Sequence, residues 1–239
     1  MVRQIATMST LFEHWRGQLL DLIFPPRCVN CRRVGAALCA DCLSKIERVA
    51  PPFCAQCSHP LKRSDQTCAQ CRQYPLHIAQ IRSVAYHEGT AREAIHALKY
   101  NRRTDLAAPL GLLLEQQLAR APIEFDAITA VPLAPARLHT RGYNQSELLA
   151  RALAGRCSRP YVGDLRRVRE TADQVGLDAN ARRQNVSGAF EADPASFRGR
   201  RVLVIDDVCT TGATLDACAI ALLDSGAKAV YGLTVTRPK

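Results

Sequence analysis

Apolar residues recur along this chain in blocks that alternate between strand and helix rhythms. The plainest block is the uninterrupted run Val202, Leu203, Val204 and Ile205, which suits a strand buried on both faces of a parallel sheet. Two acids follow at once, Asp206 and Asp207, then the short loop Val208–Gly212, then a helical stretch Ala213–Ser225 closed by Gly226. Further strands are predicted over Ile81–Tyr86, Asp126–Leu133 and Tyr231–Thr236. Pro132 ends the second of these, because it cannot donate to a central ladder. Helices are predicted over Ala91–Tyr100, Leu106–Arg120 and Asn144–Leu153, with turns at Asn101–Thr104 and Gly142. Strand and helix alternating in this order give an α/β fold with a mostly parallel sheet and flanking helices. Residues 10–24 read as a short amphipathic helix: Thr10 and Glu13 have capping-box spacing, Leu11, Trp15, Leu19, Leu22 and Ile23 share a face, and Pro25-Pro26 stops it. Its polar face is hardly basic, so it is expected to pack on a neighbouring domain rather than a membrane surface.

Between residues 28 and 71 this rhythm gives way to four C-x₂-C pairs: Cys28/Cys31, Cys39/Cys42, Cys54/Cys57 and Cys68/Cys71. A C-x₂-C turn aims two sulfurs at one tetrahedral centre, and a second turn closes the site with no position left for water. Eight cysteines therefore make two structural four-sulfur zinc sites. The simplest assignment is sequential, the first two pairs on one ion and the last two on the other; an interleaved pairing stays open. The stretch has too few large apolar residues for a core of its own, so metal supplies much of its folding energy. Redox chemistry of a lone C-x₂-C does not explain four repeats. Three parts follow: a helix at 1–26, a double zinc ribbon at 27–76, and an α/β domain at 77–239.

Composition sharpens the picture in two ways. Hydrophobic residues make up 47% of the 239, ample for a core. No secretory leader is evident and no run approaches the ~18 apolar residues of a membrane span. The expected location is cytoplasmic, where paired cysteines read as metal ligands rather than disulfides. The net charge is +10. Ten Lys/Arg and five Asp/Glu fall in residues 1–77, twenty-two and seventeen in residues 78–239, so each part carries +5. Eight thiolates on two Zn²⁺ bring the first part close to neutral, which leaves the excess positive charge on the larger domain. That suits an anionic ligand, whether a diphosphate or a nucleic acid.

Three stretches of the larger domain carry candidate chemistry. Acids at the carboxyl end of a central parallel strand lie where open α/β sheets bind ligands. Beside them Thr210, Thr211, Gly212, Ala213 and Thr214 bring hydroxyls and backbone N–H groups to a helix N-terminus, which favours a phosphate. An Asp-Asp pair that merely caps a helix, or an acidic Mg²⁺ site, is the competing reading. The second stretch, Ala134–Gln145, follows a strand end and carries Arg137, His139 and Arg141; it reads as a loop whose Arg forks bind phosphate oxygens, against a solvated basic turn. The third, Arg166–Phe190, holds five Arg without apolar periodicity and reads as a mobile lid, against a solvated charged loop.

The run of four apolar residues, two acids and a Thr-Thr-Gly loop resembles the phosphoribosyl-diphosphate (PRPP) motif of type I phosphoribosyltransferases. That resemblance implies that Asp206 and Asp207 hold the ribose hydroxyls and that Val208, Cys209, Thr210, Thr211, Gly212, Ala213 and Thr214 complete the PRPP site, the loop cradling the 5′-phosphate. It also implies that the second stretch is a pyrophosphate loop, with Arg137 and Arg141 on the leaving diphosphate and Mg²⁺ bound with PRPP. Salvage enzymes of that class carry a hood that selects a nucleobase. The chain ends at Lys239 with no such C-terminal segment, so a free base is not the expected acceptor. With FPPRC before the first ribbon, HALKY (His96–Tyr100), RLHTRGYNQ (Arg137–Gln145), QNVSGAF (Gln184–Phe190) and DDVCTTGAT (Asp206–Thr214), nearly the whole chain resembles the ComF family of competence proteins. This implies a role in the uptake or use of incoming DNA, with single-stranded DNA and a helicase-like ATPase as partners. Two expectations stand side by side: an enzyme that transfers phosphoribosyl to an unidentified acceptor, and a non-enzymatic DNA- and partner-binding module that uses the fold as a scaffold or PRPP sensor.

Overall fold

The computed structural model describes residues 25–63, 67–169 and 184–239. The helix expected over 10–24 lies outside them, as does the middle of the expected lid. The described elements run α1 (Ala40–Ser44), α2 (Ala69–Gln73), β1 (Gln80–Tyr86), α3 (Gly89–Tyr100), a 3₁₀ turn (Thr104–Leu106), α4 (Ala107–Arg120), β2 (Ala127–Ala130), α5 (Pro135–Arg141), α6 (Gln145–Cys157), β3 (Leu165–Arg167), β4 (Phe190–Ala192), α7 (Pro194–Phe197), β5 (Arg201–Val208), α8 (Ala213–Asp224) and β6 (Ala229–Arg237).

Four strands form a parallel sheet in the order β1-β6-β5-β2. The run Val202–Ile205 is fully buried because the sheet is covered on both sides. Leu203 and Ile205 pack with α3, α4 and α6, whereas Val202 and Val204 pack with α8 and the β3–β4 pair. Alternate side chains thus enter opposite layers, as the pleat requires. At the amino end of β5, Arg201 forks onto Asp126 and fixes the register between β5 and the segment entering β2. That pairing also holds the Asp126 carboxyl well below the usual carboxylate range.

Both sheet edges are closed by irregular chain, which prevents edge-to-edge pairing. Residues 47–49 add an antiparallel bridge to β1, with Val49 N–H donating to the Val84 carbonyl at 3.0 Å and Tyr86 N–H to the Glu47 carbonyl at 3.0 Å. On the far side, Ile128 exchanges bonds with Pro160 and Val162. The linker between the two ribbons is therefore part of the sheet's edge. The cysteine-rich segment joins both cores: Cys28, Cys39 and Cys42 are buried with α3, α4 and α6, and Cys54, Cys57, Cys68 and Cys71 with α8. None of the helices among the described residues is long and apolar enough to cross a membrane.

Two expectations are corrected here. Ala134–Gln145 is not a loop: Pro135 opens α5, as a residue without an N–H can, and Gly142 closes it at φ +82°. Arg166–Phe190 does not begin or end irregularly, since Arg166 and Phe190 both pair in the antiparallel β3–β4 ladder.

Candidate functional site

The eight ribbon cysteines gather in two sets, Cys28, Cys31, Cys39 and Cys42, and Cys54, Cys57, Cys68 and Cys71. Within each set all four sulfurs lie within 4.8 Å of one another, so the grouping is sequential rather than interleaved. The two sets are built alike. Each knuckle turns with a residue at positive φ just after its second cysteine, Arg32 at +63° and Ser58 at +61°, and a short helix starts just after its third. The backbone N–H of Cys39 points at Cys28 Sγ (3.5 Å) and that of Cys68 at Cys54 Sγ (3.4 Å). Amide donors aimed at sulfur stabilise thiolates, which is what a cation requires of its ligands. Both sets fit structural zinc ribbon sites. His59 stands outside: its Nδ1 meets Arg237 Nη2 at 3.0 Å.

The second feature is a cleft of about 510 Å³ at the carboxyl end of the sheet, the position where parallel sheets present their loops. It is lined by Asp206, Asp207 and the whole of Val208–Thr214, by Arg137 of α5, by Lys99 and Tyr100 at the end of α3, and by Ser146 and Arg167 among others. Gly212 lets the loop turn into α8. Its φ is +82°, and a Cβ there would lie 2.9 Å from Ile81 Cδ1, so any side chain meets both backbone strain and a buried neighbour. Among the described residues, the amides of Thr210 and Thr211 make no backbone hydrogen bond. They are donors at the mouth of a 12-residue helix.

The acids are held differently. Ser146 Oγ donates to Asp206 Oδ1 at 2.8 Å, and the Asp207 amide donates to the same oxygen at 2.9 Å. Asn144 positions Ser146 by accepting its N–H (3.0 Å) while donating Nδ2–H to the Val131 carbonyl (2.9 Å), which ties the start of α6 to the end of β2. Desolvation, and then the charge of Asp207, push the Asp206 carboxyl up to about 7; Ser146 and Lys99 pull it back only in part. Asp207 Oδ2 lies 2.5 Å from Lys99 Nζ, and it is buried without an aligned hydrogen bond. The contact is a close, buried ion pair between the ammonium and the carboxylate. Burial works against the Lys99 charge, but the carboxylate of Asp207 prevails and holds its pKa above the ordinary value. Two acidic side chains, one paired ammonium and a loop of amides thus line one cleft. The arrangement can hold a polyol against the acids and a phosphate in the loop.

Among the predicted arginines, Arg137 lines this cleft. Arg141 does not. Its guanidinium donates to Gln145 Oε1 and stands 5.4 Å from the Tyr100 ring centre, in an adjoining depression of about 500 Å³ with Lys99, Tyr100, Arg102, Arg137 and Thr140. Sequence reasoning missed Lys99 and Ser146 as cleft residues. In the sequence Lys99 stands only inside the HALKY motif, with no role assigned to it, and Ser146 in the first turn of a helix, where polar residues are commonplace.

Residues 19–72 match a family model described as a double zinc ribbon domain, and residues 141–236 one described as a phosphoribosyl transferase domain. DNA utilization protein YhgH of Escherichia coli K12 is 35% identical over 219 residues, which cover 87% of this chain and 96% of that protein. Competence protein F of Haemophilus influenzae is 30% identical over 221 residues, with coverage of 87% and 96%. Among solved structures, the glutamine PRPP amidotransferase of B. subtilis aligns at TM-score 0.41 and 20% identity, over 58% of this chain and 30% of that one.

Proposed function

Because the chain belongs to the ComF family of competence proteins, which joins a double zinc ribbon to a phosphoribosyltransferase domain, we propose that it serves the uptake or use of incoming DNA and binds PRPP with Mg²⁺ in the cleft beyond β5. One observation carries the reading: both acids and the amide loop open into the same cavity. Asp206 and Asp207 accept from the ribose hydroxyls, Thr210–Thr214 surround the 5′-phosphate, and Arg137 faces the diphosphate. Asp206 and Asp207 are the carboxylates that would hold a Mg²⁺ arriving with PRPP, and the ion would supply charge neutralisation on the leaving group.

In the enzymatic form of the proposal, the bond from the ribose anomeric carbon to the diphosphate oxygen breaks. The diphosphate leaves with the electron pair, and an acceptor nucleophile bonds to the carbon from the opposite side. Positive charge developing at that carbon is stabilised by the fixed carboxylates, and negative charge on the leaving group by Arg137. Lys99, released from Asp207 as hydroxyls arrive, adds a second cation at the same end.

The depression beside the cleft favours a second reading, a module that binds single-stranded DNA without turnover. It presents Lys99, Arg102, Arg137 and Arg141 around Tyr100, which is 65% exposed. Cations around an exposed ring are how single strands are held, by phosphate contact and base stacking. Pyrophosphate release measured with Mg-PRPP and a single-stranded oligonucleotide or other acceptor separates the two. Release that vanishes in Asp206→Asn/Asp207→Asn is expected of the enzyme. No release, together with oligonucleotide binding that weakens steeply with salt, survives Asp206→Asn/Asp207→Asn and falls in Arg102→Ala/Arg141→Ala, supports the module.

A further inference from the structure

We propose that the second cysteine cluster, Cys54, Cys57, Cys68 and Cys71, is the mount of the phosphate loop, so that metal loading at this cluster and ligand binding in the cleft are linked. The inference rests on the reading of the cleft as a PRPP site and goes beyond it by assigning its control. It starts from Gly212, which faces two side chains so closely that a Cβ there would lie 2.9 Å from Ile81 Cδ1 and 3.5 Å from Leu76 Cδ1. Both are held by one residue inside the Cys54–Cys57 knuckle. The backbone carbonyl of Gln56 accepts from Ile81 N–H at 2.6 Å, and its side-chain Nε2 donates to the Leu76 carbonyl at 2.9 Å. Ser58, just past the knuckle, donates Oγ–H to the Ile81 carbonyl at 2.7 Å. Gln70, between Cys68 and Cys71, donates Nε2–H to the Thr211 carbonyl at 3.2 Å, a direct bond from ribbon to loop.

Two further ties close the frame. Arg237 Nη1 donates to the Cys57 carbonyl. Its neighbour Thr236 accepts from the Cys209 amide (2.9 Å) and donates Oγ1–H to the Asp207 carbonyl (3.2 Å). Cys209, Leu76 and Ile81 share one buried cluster with the four cysteines. Nothing comparable joins the first cluster to the loop: among the described residues, no hydrogen bond runs from residues 25–46 to residues 206–213, and Cys28, Cys39 and Cys42 belong to the opposite core.

The consequence is thermodynamic. A metal ion that fixes the knuckle fixes Gln56 and Gln70, and through them the loop whose amides must be aligned for phosphate. Loss of the ion frees those glutamines, and the loop then has to be ordered at the ligand's expense. Coupling of this kind is reciprocal: whatever factor the metal gives to ligand affinity, the ligand gives to metal retention. Typical couplings correspond to about 5–150-fold.

The test uses the intact chain loaded with two zinc ions. Zinc release to a chromogenic chelator is followed with and without saturating Mg-PRPP, and PRPP affinity is measured by calorimetry on Gln56→Ala, Gln70→Ala and Asn30→Ala. Asn30 occupies in the first knuckle the position that Gln56 holds in the second, and its Nδ2 reaches Cys42 Sγ at 3.4 Å. Mg-PRPP is expected to slow the loss of one zinc about tenfold and leave the other unchanged. Asn30→Ala is expected to speed release of the unprotected ion without altering PRPP affinity. Gln56→Ala and Gln70→Ala, with two zinc ions still bound, are expected to weaken PRPP binding about five- to tenfold and to reduce the protection. PRPP binding with both release rates unchanged overturns the coupling alone. Absence of PRPP binding by the zinc-loaded wild type overturns the reading of the cleft and the coupling with it.

Discussion

Asp206→Asn/Asp207→Asn is expected to weaken Mg-PRPP binding by about 100-fold or more, measured by calorimetry. Hydrogen bonds to a charged acceptor are each worth about 1.5–3 kcal/mol net, and two lost together correspond to roughly a hundredfold or greater change in Kd. The single variants then divide by sign. Asp206 is a carboxyl whose pKa is raised to about 7 in the folded chain, above the ordinary value near 3.9. The folded state therefore binds this proton more tightly than the unfolded one. The stability it contributes is full below pH ~4 and is lost as pH rises through about 7. Asp206→Asn removes that loss, so the variant is expected to exceed the wild type by about 1–2 kcal/mol at pH 8, by less at pH 5, and to match it only below pH ~4. Asp207→Asn has the opposite effect, because it strands the Lys99 ammonium, whose side chain is only 21% exposed. A cost of about 1–3 kcal/mol is expected, and thermal unfolding of the two variants at pH 5 and pH 8 checks both signs. Ligand binding is expected to follow ionisation of Asp206, so PRPP affinity is expected to rise between pH 6 and pH 8.

Stripping the metal is expected to have the largest effect on the fold. Structural zinc contributes about 10–16 kcal/mol in isolated zinc-finger peptides, which is comparable with or greater than the whole net stability of an ordinary domain, about 5–15 kcal/mol. Here seven of the eight ligands, all but the exposed Cys31, also sit inside the two hydrophobic cores, and the chain between the two ribbons forms the edge of the sheet at β1. Removal of both ions therefore exposes Ile46, Leu76 and Ile78, which are buried, along with the β1 edge. Elemental analysis is expected to give two zinc ions per chain. Exhaustive chelation is expected to lower the melting temperature by more than ~10 °C or abolish the cooperative transition. A zinc-free chain that melts within ~2 °C of the loaded one contradicts the structural role.

The parts of this architecture readable in the sequence are those where one local pattern fixes one outcome. Val202–Ile205 is apolar at every position because both layers cover β5, so periodicity and burial agree. The eight cysteines announce their sites because C-x₂-C leaves few alternatives, although only the fold decides the sequential grouping. The missed elements carry no such pattern. Helix α5 has no buried residue, so it has no apolar stripe to detect, and its Arg-rich composition reads as a loop. Strands β3 and β4 are three residues each, too short for alternation to show. The Lys99–Asp207 pair joins residues more than a hundred positions apart, and α3 brings its lysine to the sheet end only because the helix packs on β1 and β6. Arg141, by contrast, looks equivalent to Arg137 in sequence. One helical turn separates them, and only Arg137 reaches the cleft.

The central claim, that a sugar phosphate is held where β5 passes into α8, is tested most directly by a crystal structure of the zinc-loaded chain with Mg-PRPP. The predicted result is a 5′-phosphate within hydrogen-bonding distance of the Thr210–Thr214 amides and hydroxyls, ribose hydroxyls on Asp206 and Asp207, and Lys99 moved from Asp207 toward the diphosphate. A phosphate bound elsewhere, with Lys99 still paired to Asp207 and the loop amides facing only solvent, contradicts it.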